Sequence, residues 1–161
     1  MEFDWKTWFM EVLEDNRRLT NHVANAIIQA GAVDKVLVEG MRPFRELILE
    51  ILGVERFTVR GLAFDKWEYE ALPDNLRTSP IEEVLELGRN IRAETRKLWP
   101  DIPAEEFTKL RPSPTPFIPE GTAIGRLTYA LENEIHHRGQ GYVYLRLLGQ
   151  VPPAFYIRTE E

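Results

Sequence analysis

The stretch TAIGRLTYALENEIHHRGQGYVYLRLLG, from Thr122 to Gly149, decides the architecture. Its apolar residues Ile124, Leu127, Leu131, Ile135, Leu145 and Leu148 fall at helical spacing, so the stretch reads as one long amphipathic helix. About 27 residues at ~1.5 Å each make a rod of roughly 40 Å. Gly149 stops it, with Pro152-Pro153 beyond.

Working outward, three more segments carry the same period. From Trp5 to about Ala30, the residues Trp5, Trp8, Phe9, Val12, Leu19, Val23, Ala26, Ile27 and Ala30 predict a helix that Gly31 caps. The polar run Glu14 to Arg18 leaves room for a bend inside it. Pro43 is placed at the first position of a second helix, where its missing N–H costs nothing, and Phe44, Leu47, Ile48, Ile51, Leu52 and Val54 carry the pattern to about Arg60, with Gly61 ending it. Ser79-Pro80-Ile81-Glu82 has the form of a capping box and predicts a third helix through Val84, Leu85, Leu87 and Ile91 to about Leu98, where Pro100 restrains Trp99. Between these lie two long connections, Leu62–Thr78 and the proline-rich Pro100–Glu120, the second with a short helix expected around Ala104–Lys109. Four long helices without an alternating strand pattern predict an all-α four-helix bundle formed as one domain over residues 1–161.

Composition narrows the function classes. Lysine and arginine number 20 against 26 acids, a net charge of −6, which disfavours a phosphate backbone. The densest basic candidates, Arg17-Arg18 and the set Arg89, Arg92, Arg96 and Lys97, have acids beside them, as on a solvated helix face. No nucleic-acid partner is expected. With no cysteine there is no disulfide, thiolate ligand or cysteine nucleophile. No segment has the run of apolar residues that a membrane span needs, and the N-terminus lacks a basic region followed by an apolar one, so a cytoplasmic location is expected.

The residues that could carry chemistry are few. Of the three histidines, His137 shares a helical stripe with Asn133 and Tyr144, bordering the apolar stripe of Leu127, Ala130 and Leu148, whereas His136 points elsewhere. Side chains at i and i+4 can reach one ion, although a histidine here serves equally as a hydrogen-bonded core residue. Glu50 stands on the margin of the second helix's apolar face, beside Leu47, Val54 and Phe57, where a carboxylate is costly unless paired. Either it reaches solvent or an arginine such as Arg138, or it faces His137 across the bundle. His22, near the edge of the first helix's apolar face, is a rim histidine or approaches the same region. Trp67 and Tyr69 either wall a pocket or cover the core.

His136-His137-Arg138-Gly139-Gln140, followed by Tyr144 to Gly149 and Pro152-Pro153, resembles the C-terminal signature of the DinB/YfiT family, and Arg45-Glu46-Leu47 through Gly53-Val54-Glu55-Arg56 resembles that family's second helix. The resemblance spans essentially the whole chain. It implies an up-down-down-up bundle, frequently a homodimer, with a divalent metal, nickel or zinc, held by three histidines. Carried over by position, His137 matches one histidine, while Asn133 and Glu50 stand where the other two are expected. A carboxylate remains a metal ligand but an amide is a weak one, which shifts the set toward harder ions or none. Equally consistent is a direct charged pair of Glu50 and His137, with Asn133 hydrogen-bonded beside it. The resemblance implies two functions: a metal-dependent thiol S-transferase acting on a small thiol and an electrophile, or a non-catalytic, stress-associated binding or dimerising bundle that has lost the metal.

Overall fold

A computed structural model describes residues 3–157. Four helices carry the fold: α1 (Trp5–Gln29), α2 (Phe44–Phe64), α3 (Ile81–Leu98) and α4 (Ala123–Leu147), and no strand forms among the described residues. Short 3-10 turns at Asp74–Arg77, Trp99–Asp101 and Ala104–Phe107 punctuate the two long links. No helix is long and apolar enough to cross a membrane, among the described residues.

The helix ends follow local chemistry. Asp4 accepts a hydrogen bond from the Thr7 amide (3.0 Å) and Thr122 one from the Gly125 amide (3.1 Å), satisfying first-turn N–H groups. Gly31 (φ +60°) and Gly149 (φ +71°) turn the chain just after α1 and α4. The polar run 14–18 leaves α1 unbroken.

Three boundaries differ from expectation. Pro43 is the cap of α2, not its first residue. The capping box at Ser79 does not form: Pro80, extended at ψ 137°, is the cap of α3, and the Ser79 carbonyl accepts instead from Arg45 Nη1 (2.9 Å). Gly61 does not end α2, which continues to Phe64 and stops at Asp65 in the left-handed conformation (φ 52°). Gly61 serves packing: a Cβ there would lie 2.4 Å from the Trp67 ring, so its bare face receives that indole.

Contacts between helix ends establish the up-down-down-up course. The Arg45 amide at the start of α2 bonds to the Val33 carbonyl just past α1, so α1 and α2 run in opposite directions. Arg45 also meets Leu76 and Ser79 before α3, while Arg60 pairs with Glu94 near both C-termini, so α2 and α3 run the same way. The Tyr144 hydroxyl, late in α4, donates to the Arg42 carbonyl, so α4 opposes α2. The packing order is α1 on α4, α4 on α2 and α2 on α3.

The interior is layered along the bundle axis. One apolar cluster gathers Val23, Ile27, Phe44, Leu47, Tyr144 and Leu145, and the other Phe9, Leu13, Trp99, Ile102, Phe107 and Leu127. A buried polar layer of Arg17, Glu55, Arg92, Thr95 and Glu134 accompanies them. Arg17 and Arg92 are therefore not the solvated face that their acidic neighbours suggested. Burial demands paired charges, and the layer supplies them: Arg17 meets Glu55 (2.7 Å) and Glu134 (2.9 Å), and Thr95 donates to Glu55 (2.7 Å).

Candidate functional site

The second and fourth helices bring together the three residues singled out by position. Asn133 and His137, four residues apart, project from one face of α4, and Glu50 meets them from α2. Nε2 of His137 lies 2.9 Å from Oε1 of Glu50; the Asn133 amide donates to that oxygen (3.1 Å) and lies 3.3 Å from the imidazole nitrogen. His137 is buried, whereas the Glu50 side chain keeps 35% of its exposure and looks into a cleft of about 290 Å³ under the 69–77 segment.

Two further residues complete the arrangement. Arg42 Nη1 donates to Oε2 of Glu50 (2.5 Å), and Oε1 of Gln140 lies 3.1 Å from Nδ1 of His137. Both imidazole nitrogens thus lie within hydrogen-bond distance of a side-chain oxygen. Burial works to raise the Glu50 pKa, but the hydrogen bonds from His137, Arg42 and Asn133 outweigh it and hold the carboxyl at about 2. Glu50 is ionised across the physiological range.

Of the alternatives left open by the sequence, Glu50 faces His137, and its arginine is Arg42. Arg138 turns the other way, to the Asn16 carbonyl (3.0 Å) and side chain (3.1 Å). His22 is half-buried on α1 and takes no part in the cluster. Tyr69 lines the cleft beside Glu50, whereas Trp67 packs on Gly61 and under the Arg126 guanidinium. His136 is exposed.

Sequence reasoning missed Arg42, Gln140 and the buried Glu134. Arg42 precedes the helix and has no periodic relation to Glu50. Glu134 did leave a signal: Leu127, Glu134, Gly141 and Leu145 fall on one stripe of α4, so a carboxylate sits within the apolar face.

The architecture, the signature after His136 and the position of His137 point to one family, and the family model described as "DinB family" matches residues 5–161. The chain belongs to the DinB family. No curated protein matches it. The donor set of this DinB protein does not fit the centre of three imidazoles that the resemblance implies. Of the three positions that the resemblance assigns to the metal, only His137 carries an imidazole; the Glu50 carboxylate is bridged to Arg42, and the Asn133 amide turns its N–H group toward Glu50. Among the described residues no group of three or more His, Cys, Asp or Glu side chains could hold an ion.

Proposed function

We propose that this chain is a metal-independent DinB protein of the cytoplasm, a binding bundle whose former metal position is filled by its own charges. The observation that supports this is the saturation of Glu50. His137 and Asn133 take one carboxylate oxygen and Arg42 takes the other, so cationic and N–H donors stand where a divalent ion would otherwise be recognised. The cleft beyond Glu50, with Tyr69 and Leu72 among its walls, then serves as a recess for a small polar molecule.

Metal analysis of the purified native protein, followed by nickel and zinc titration, tests this. Sub-stoichiometric metal and no tight binding are expected. The Glu50→His, Asn133→His variant should gain tight binding, because it restores three imidazoles on the same helix faces. Stoichiometric metal on the native chain, with thiol transfer to an electrophile, overturns the proposal. One observation favours that rival, the metal-dependent thiol S-transferase: Oδ1 of Asn133 is buried without a hydrogen-bond partner.

We also propose that the bundle acts as a homodimer through α4. Tyr129, Val143 and Leu147 share one outward stripe of that helix and are 63%, 47% and 54% exposed, and a second copy of the same stripe would cover them. Sedimentation should show a dimer, and Val143→Glu should make it monomeric; a monomeric native chain removes the idea.

A further inference from the structure

The packing order leaves α1 and α3 without a substantial interface. Between them runs a groove of about 830 Å³ that shares no lining residue with the cleft at Glu50. Its volume lies in the range of small-molecule sites.

The groove is amphipathic. Ile48, Ile51 and Leu52 of α2 and Val84 of α3 give it an apolar side, while Arg17 and Arg92 bring the charged layer to its wall. Their guanidinium groups are more than nine-tenths buried yet short of acceptors. The carboxylate of Glu55 receives Arg17 Nη2 (2.7 Å), Arg92 Nη2 (3.2 Å) and Thr95 (2.7 Å), and Glu134 receives Arg17 Nε (2.9 Å) and Nη2 (3.1 Å). Nη1 of Arg17 and Nη1 of Arg92 have no hydrogen-bond partner, a costly omission at buried positions. The two arginines are also compensated unequally. Burial lowers both, but Glu134 and Glu55 outweigh it at Arg17 and raise that pKa, whereas at Arg92 burial and the adjacent Arg17 prevail over Glu55 and the pKa falls. Arg92 faces one carboxylate, Glu55, whose Oε1 lies 3.1 Å from its Nε, whereas Arg17 is held by two.

We propose that this groove binds a monocarboxylate with an apolar body, such as a fatty acid. The carboxylate lies against the positively charged wall that Arg17 and Arg92 give the groove, and the hydrocarbon lies along Ile48, Ile51, Leu52 and Val84. A singly charged head suits the rim better than a doubly charged phosphate: Glu14 at the mouth already pairs with Arg96 (2.6 Å) and Asp15 with Arg18 (2.7 Å), and Glu11 adds a further negative charge.

Gly88 offers a way to close the groove without touching the charges. It lies in the α3 wall, and a Cβ there would meet only Leu52, at an ordinary 3.4 Å. Calorimetric titration of the full chain with decanoate, decanol and decyl phosphate tests the proposal. Saturable one-to-one binding of decanoate is expected, with both other probes about tenfold weaker or more, since a site built for one polar group rejects analogues lacking it. Gly88→Leu should abolish decanoate binding while circular dichroism and the melting temperature hold. No saturable decanoate binding, equal affinity for decanol, tighter binding of decyl phosphate or an undiminished Gly88→Leu titration each overturn it. Because Glu50 lies outside the groove, metal content at that site reports separately on the metal-independent assignment.

Discussion

Oε1 of Glu50 lies 2.9 Å from Nε2 of His137, joining α2 to α4 across the position where the family's metal is expected. Glu50→Gln keeps the shape and removes the charge that Arg42 and His137 share. Because the carboxylate is partly exposed, the loss should be modest, about 1 kcal/mol in urea denaturation at neutral pH. An unchanged midpoint would show that the pair contributes nothing to the fold.

The buried layer should respond far more strongly. Arg17→Met leaves Glu134 and Glu55 in the interior without their shared guanidinium, and removing one partner of a buried pair costs about 3–5 kcal/mol. Adding Glu134→Gln to that variant should recover part of the loss, a non-additivity that a double-mutant cycle measures directly.

Acid should weaken the fold through the same carboxylate. Burial works to raise the Glu134 pKa, but the charge and hydrogen bonds of Arg17, with a bond from Thr20, hold it below the ordinary value. Its folded pKa is therefore lower than its unfolded value of roughly 4.3, so the stabilisation is full above that pH and declines as pH falls toward the folded value. Denaturation midpoints taken from neutral pH downward should fall in the acid limb, and Glu134→Gln should flatten that fall.

Gly61→Ala tests the glycine in α2 by its sign. On an open helix surface alanine stabilises relative to glycine by roughly 1 kcal/mol. Here the added Cβ meets the Trp67 indole at 2.4 Å, so the variant should instead lose about 1–3 kcal/mol and lower the melting temperature. A rise in melting temperature would show that the indole moves aside freely.

Much of this molecule was visible in its letters because helical periodicity is a local property. The four helices, Gly31 and Gly149 past their ends and the long links follow from spacing and from proline and glycine chemistry. Spacing put Asn133 and His137 on one stripe and left Glu50 facing His137 as one of two readings; the resemblance to DinB proteins joined the three by supplying positions from two helices at once. What stayed hidden depends on contacts distant in sequence. Ser79 lies one residue ahead of the cap, its carbonyl tied to Arg45, Gly61 lies inside a helix with Trp67 packed on it, and Arg17 looks like a surface residue until Glu55 and Glu134 come to meet it. Neighbouring acids in the chain, Glu14 and Asp15, pointed to solvent; the acids that matter lie 38 and 117 residues away.

The ionic layer in the bundle also restricts how the helices can slide. Two oily surfaces tolerate axial displacement, since one leucine replaces another with little penalty. Shifting α4 by a single turn, about 5.4 Å, would draw Glu134 off Arg17 and leave that carboxylate buried without its cation. The layer therefore acts as a pawl, locking α1, α2, α3 and α4 into one vertical alignment and, with it, the opposition of Glu50 to His137.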